Sequence, residues 1–80
     1  MWTIRIKLCI SRSDIVYLNS IIDSYDGVGI VRTVDKEKGE VIIYSSNSTY
    51  RWVIGILDAL KNEGVKLNIL ELEKSELVDK

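Results

Sequence analysis

Strict alternation of apolar and polar residues at the start of the chain constrains its fold more than any other feature. Trp2, Ile4, Ile6, Leu8 and Ile10 are separated by Thr3, Arg5, Lys7 and Cys9. A period of two places the two sets on opposite faces of a β-strand. We therefore predict a half-buried strand over residues 2–10, with Arg5 and Lys7 on its polar face.

A helical period replaces this alternation after Ile10. Ser11 or Ser13 is placed to cap a helix, and Gly27 is placed to end it in the left-handed conformation. We therefore predict a helix over residues 13–25. Its apolar stripe consists of Ile15, Leu18, Ile22 and Tyr25.

The rest of the chain contains β-branched segments and one further helical stripe. Gly39 is available for the positive φ of a hairpin turn, and Gly64 is placed to end the second helix. Residues 73–80 are predicted to form a charged tail. We predict strands over residues 28–34, 40–45 and 65–72, a turn over residues 35–39 and a helix over residues 48–62.

The predicted elements follow one another in the order β-α-β-β-α-β. Right-handed crossovers turn this order into a four-stranded antiparallel sheet with both helices on one face. The fold class is therefore α+β, and the arrangement is a ferredoxin-like βαββαβ sandwich. We predict one such domain over residues 1–72.

The strands carry more apolar residues than one buried face requires. Consecutive apolar residues fill positions 41–44, and the last strand changes its apolar phase between Ile69 and Leu70. A sheet with helices on one side should be half polar. The excess indicates that part of the open face is covered, and a second copy of the chain is the simplest cover. The predicted interface residues are Val31, Ile42, Tyr44 and Leu70.

Composition argues against an enzyme. The chain has 80 residues, a single cysteine, Cys9, and no histidine. It therefore lacks an intrachain disulfide, a usual zinc ligand set and an imidazole base. A Ser-His-Asp or Cys-His arrangement is impossible. We predict no catalytic residues, no metal, no cofactor and no enzymatic activity, with packing or oligomerisation supporting the small core.

Charge and hydropathy narrow the expected partners and location. The net charge is -1 and the pI is about 5.3, whereas nucleic-acid binders usually carry a basic excess. Arg5 and Lys7 interrupt the apolar stretch that a signal peptide would need, and no segment is long enough to span a membrane. We therefore expect a soluble, cytoplasmic protein that binds neither nucleic acid nor membrane.

A candidate ligand site lies in the segment of residues 31–35. Arg32 is suited to bind a carboxylate or phosphate, while Thr33 and Asp35 offer hydrogen bonds. Arg12, at the start of the first helix, is a further candidate. The alternative is structural, because Arg32 and Thr33 are ordinary strand residues and Asp35 begins a tight turn.

Several short segments resemble an uncharacterised bacterial family known only as a domain of unknown function. They are residues 11–15 (SRSDI), 17–18 (YL), 25–27 (YDG), 31–35 (VRTVD) and Gly39. The resemblance covers about residues 3–60 and implies a small α+β protein. The topology is also similar to ACT-type regulatory modules, which dimerise and bind amino acids between subunits. Residues 11–13 depart from that type, because no glycine follows the first strand.

Two hypotheses about function remain. The first is a non-enzymatic interaction or assembly module that acts as a homodimer or with a protein partner. The alternative is an ACT-like small-ligand-binding regulatory domain, with a site near the start of the first helix or at Arg32.

Overall fold

The chain folds in the predicted order β-α-β-β-α-β. A computed structural model describes residues 2–25 and 27–76. A short 3-10 turn, Arg12–Asp14, precedes the first helix. The elements are β1 (Trp2–Ile10), α1 (Ile15–Ser24), β2 (Ile30–Asp35), β3 (Glu40–Ser46), α2 (Tyr50–Asn62) and β4 (Leu67–Glu76).

The four strands form one antiparallel sheet in the order β2-β3-β1-β4. This topology confirms the predicted α+β class and the ferredoxin-like arrangement. β1 lies between β3 and β4, so its backbone is hydrogen-bonded on both sides. β2 and β4 form the two edges of the sheet.

One hydrophobic core joins a single face of the sheet to both helices. The β1 residues Ile4, Ile6 and Leu8 are fully buried, and so are Leu18 of α1 and Leu57 of α2. These positions follow the period of two on the strand and the helical period on the helices. Each such side chain contributes about 1.5–3 kcal/mol through burial. The helices therefore cover the sheet face that carries the even-numbered residues of β1.

The hairpin between β2 and β3 closes with the turn predicted from the sequence. The Asp35 carboxylate accepts hydrogen bonds from the backbone N–H groups of Glu37 (3.0 Å) and Lys38 (3.2 Å). Gly39 adopts φ 71°, as predicted, and its carbonyl accepts a hydrogen bond of 2.9 Å from the Ile10 backbone. The turn is thereby fixed to the end of β1.

The last strand is longer than predicted. The sequence indicated a strand that ends at Leu72 and a charged tail over residues 73–80. Instead, β4 continues to Glu76, and Glu73 lies opposite Arg5 of β1. The backbone of this charged segment pairs with β1, so the edge strand continues past the last apolar residue, Leu72. Residues 77–80 of the predicted tail lie outside the described residues.

Candidate functional site

Cross-strand register places eight side chains in two adjacent rows at the centre of the sheet face that the helices leave uncovered. We call this surface the open face. Its first row, the Tyr44 row, contains Ile30, Tyr44, Arg5 and Glu73 from β2, β3, β1 and β4. Its second row, the Ile42 row, contains Arg32, Ile42, Lys7 and Glu71 in the same strand order.

Burial confirms which side of the sheet these rows occupy. In β3, Val41 and Ile43 are fully buried, whereas Ile42 and Tyr44 are partly exposed. Successive residues of a strand point to opposite faces, so the buried pair faces the helices. The partly exposed pair therefore belongs to the open face.

Apolar side chains occupy the β2 and β3 half of the open face. Ile30 is 71% exposed, and it lies directly opposite Tyr44. Ile42 follows in the next row, beside Lys7 of β1. An exposed isoleucine on an edge strand next to two further apolar side chains forms a continuous apolar strip, which is typical of a contact surface.

Charged side chains occupy the other half. Arg5 forms an ion pair with Glu73 across β1 and β4, and Lys7 lies opposite Glu71 in the same pair of strands. Arg32 lies apart on β2. Among the side chains that the structure describes, the ion pairs are Arg5–Glu73 and Arg12–Glu37, so Lys7, Arg32 and Glu71 of the open face form none.

A shallow depression of about 190 Å³ lies on the open face. Its walls are Arg5, Lys7, Ile42, Glu71 and Glu73. Pockets that enclose small organic ligands are usually about 300–1,000 Å³. The small volume fits a contact with another surface better than enclosure of a small molecule.

The structure places two of the four predicted interface residues on the open face. Ile42 and Tyr44 lie at its centre. Val31 was assigned to this interface incorrectly, because it pairs with the buried Ile43 and packs against the core. A strand that is apolar on both faces carries no alternation that fixes its phase, so the sequence alone did not distinguish Val31 from Ile30.

Leu70 is also absent from the two rows. The register between β1 and β4 shifts between Lys7 and Leu8, where Glu71 and Ile69 are the respective partners. Leu70 is thus the extra residue of a β-bulge, and it is 54% exposed. The change of apolar phase in the last strand is the sequence signal of this bulge, since one inserted residue shifts the alternation.

The four predicted ligand residues do not converge. Arg12 donates a hydrogen bond of 2.9 Å to Glu37, and Asp35 binds the backbone of the same turn. Arg32 lies on the open face, whereas Thr33 pairs with the buried Val41 on the helix side. Arg12 and Asp35 therefore share one end of the hairpin in structural roles, while Arg32 contributes to the open face.

Neither a cluster of metal ligands nor a helix that spans a membrane is found among the described residues. No group of three or more acidic, histidine or cysteine side chains within them is placed to hold a metal ion. No helix in the described part of the chain has both the length and the apolarity to cross a membrane. The Cys9 thiol donates a hydrogen bond of 3.2 Å to the Lys38 carbonyl, which ties it to the hairpin turn.

One titratable group on the helix side is perturbed. The Tyr17 hydroxyl of α1 donates a hydrogen bond of 2.9 Å to the carboxylate of Glu63 at the end of α2. This bond raises the pKa of Tyr17, and desolvation and the negative charges of Glu63 and Asp14 act in the same direction. The contact links the two helices, and no reactive group lies with it, so we assign it a structural role.

The fold and the open face together define a small ferredoxin-like α+β domain with one uncovered, partly apolar sheet face. The chain belongs to the family described as Domain of unknown function (DUF4911), which matches residues 8–63. This match agrees with the resemblance drawn from the sequence segments. The comparisons with curated proteins and with solved structures gave no match.

Proposed function

We propose that this protein is a non-enzymatic interaction module that forms a homodimer through the open face. The main observation in support is the apolar strip of Ile30, Ile42 and Tyr44 on the sheet face that the helices leave uncovered. Burying such side chains against a partner contributes about 25 cal/mol for each Å² of apolar surface removed from water. Association therefore supplies stabilisation that the small core of one copy lacks.

The charges on the open face are compatible with burial. Arg5 is already ion-paired with Glu73 within the sheet. A paired charge costs much less to transfer into an interface than an isolated one. Lys7 and Glu71 lie beside this pair on β1 and β4, so charged groups border the apolar strip as they do at the rims of protein interfaces.

Sedimentation velocity over a range of concentrations tests the proposal. The wild type should show a monomer–dimer equilibrium, and Ile42→Asp combined with Tyr44→Asp should leave only monomers. Ile30→Asp should weaken the dimer with little folding cost, because its side chain is 71% exposed. Val16→Asp is the matched control, since Val16 is 75% exposed on α1 of the helix side. Equal association of all these variants would refute the proposed interface.

A small-ligand regulatory role of ACT-like type is the second candidate. A depression between the end of β1 and the start of β4 supports it, with Cys9, Ser11, Lys66 and Asn68 among its polar walls. A bound amino acid or nucleotide would raise the melting temperature, since binding to the native state adds RT ln(1 + [L]/Kd). Loss of that shift in Lys66→Ala would locate the site, and no shift across a broad panel would remove this candidate.

The proposed function also implies a cellular location. We expect the module to act in the bacterial cytoplasm, where Cys9 keeps its free thiol. The net charge of -1 supports a protein partner or a second copy over nucleic acid. Fractionation of cells that express a tagged chain checks the location, and recovery in a membrane or exported fraction would contradict it.

A further inference from the structure

Charge is distributed unevenly across the open face. Glu71 and Glu73 lie on β4 at one edge of the sheet, and Arg32 lies on β2 at the opposite edge. Arg5 and Lys7 lie on β1, next to the acidic edge. A second copy packed on this face thus meets a surface that is acidic at the β4 edge and basic at the β2 edge.

Two symmetric arrangements place two such faces together. In both, the two-fold axis lies in the plane between the sheets, either perpendicular or parallel to the strands. A perpendicular axis stacks each strand on the same strand of the other copy. Glu71 and Glu73 then face the acidic edge of the partner, and Arg5 and Lys7 face its cations. Juxtaposed like charges cost several kcal/mol in the general case, so this arrangement is disfavoured.

An axis parallel to the strands reverses the strand order between the copies. β2 then lies over β4 of the partner subunit, and β3 lies over β1 of the partner subunit. Each row meets itself in reverse. Ile42 then packs on the aliphatic part of Lys7 of the partner subunit, and Ile30 lies opposite Glu73 of the partner subunit, a carboxylate that is already ion-paired within its own sheet. Arg32 faces Glu71 of the partner subunit, which pairs opposite charges, and Tyr44 faces Arg5 of the partner subunit, which places a guanidinium against an aromatic ring.

Resting on the proposed function, we infer that the occupant of the open face is a second copy related by a two-fold axis parallel to the strands, with Arg32 paired to Glu71 of the partner subunit. Packed sheets are about 10 Å apart, a gap that arginine and glutamate bridge when they extend from opposite sides. The pair forms twice in each dimer, because the two-fold axis repeats it. Neither Arg32 nor Glu71 forms an ion pair with another described side chain of its own copy.

Charge exchange between separate chains tests this arrangement. Arg32→Glu and Glu71→Arg each place like charges in both contacts, so each variant alone should raise the dimer dissociation constant by about tenfold or more. An equimolar mixture of the two variants should recover the wild-type affinity, because both contacts then join opposite charges. A single chain that carries both Arg32→Glu and Glu71→Arg should also dimerise with the wild-type affinity, because its own two contacts again join opposite charges. Arg51→Glu makes the same charge change on α2 and should leave the affinity unchanged.

The outcomes separate this arrangement from the proposed function. Recovery in the mixture supports the parallel axis. If Ile42→Asp with Tyr44→Asp abolishes the dimer but the mixture does not recover, the open face is the interface and the parallel axis is wrong. If the wild type stays monomeric at every concentration, both the interface and the arrangement are overturned. Circular dichroism confirms that each variant is folded.

Discussion

Ile42 and Ile43 are neighbours in β3, yet they belong to opposite surfaces of the sheet. Ile43 is fully buried beneath the helices, and Ile42 is partly exposed between Arg32 and Lys7 on the open face. The same type of side chain, isoleucine, thus contributes to the proposed interface at position 42 and to the core at position 43. This separation allows folding and association to be perturbed independently.

Replacing each isoleucine by alanine should separate the two roles. Ile43→Ala should lower the free energy of unfolding by about 2–5 kcal/mol, because it removes buried atoms and leaves a cavity. Ile42→Ala should lower it by about 1 kcal/mol or less in the monomer, since the side chain already contacts water. Urea denaturation measures both values, at a protein concentration too low for the chains to associate. Equal losses would contradict the assignment of faces.

Gly39 should tolerate alanine less well than Gly64. Both glycines have positive φ, 71° and 99° respectively, so each alanine variant pays a strain of about 1–2 kcal/mol. A Cβ at Gly39 would also overlap the Ile10 carbonyl oxygen, whereas a Cβ at Gly64 meets nothing within 4 Å. Thermal unfolding should therefore show the larger loss for Gly39→Ala. A loss no greater than that of Gly64→Ala would place the turn away from β1.

Gly55 should be replaceable with a gain in stability. It lies inside α2, is exposed, and a Cβ there would meet no atom within 4 Å beyond its chain neighbours and the backbone of its own helix. Glycine in a helix interior costs about 0.8–1.0 kcal/mol relative to alanine. Gly55→Ala should raise the free energy of unfolding by about this amount in a urea titration. The reverse change at the exposed Ala59, Ala59→Gly, should lower it similarly, and a destabilised Gly55→Ala would show an unrecognised contact.

The contact between Tyr17 and Glu63 should make stability depend on alkaline pH. Because the folded state raises the pKa of Tyr17, the contact contributes fully below the ordinary tyrosine value of about 10. That contribution is lost as pH rises through the higher folded value. Unfolding titrations should show a difference between wild type and Tyr17→Phe that is constant below about pH 9 and declines above pH 10.

A charge variant distinguishes this cause from general alkaline denaturation. Glu63→Gln keeps a hydrogen-bond acceptor for Tyr17 but removes the negative charge that repels the tyrosinate. The decline attributed to Tyr17 should therefore be smaller in Glu63→Gln than in wild type. An unchanged decline would mean that other groups cause it.

The element order and the core followed from local patterns in the sequence. Alternation over residues 2–10 predicted β1 and its buried face, and the stripe that contains Leu18 predicted α1. The left-handed glycine of the hairpin turn, Gly39, was also predicted correctly. These features are local, because periodicity and backbone conformation depend on residues close together in the chain.

The composition of the open face depended on register, which is not local. Ile30 and Arg32 belong to it because β2 pairs with β3 in one particular register. Glu73 belongs to it because β4 continues past the bulge at Leu70 and pairs with β1 as far as Glu76. The sequence indicated a covered face and two of its residues, Ile42 and Tyr44. The arrangement of charges across four strands required the structure.

Isotope-filtered nuclear Overhauser spectroscopy on a mixture of labelled and unlabelled chains tests the proposed interface most directly. We expect contacts between chains from the methyl groups of Ile30 and Ile42 and from the Tyr44 ring, and none from the buried Ile43. Ile42 should contact Lys7 of the partner subunit. Contacts between chains that arise from Trp52 and Val16 instead, on the helix side, would contradict a dimer through the open face.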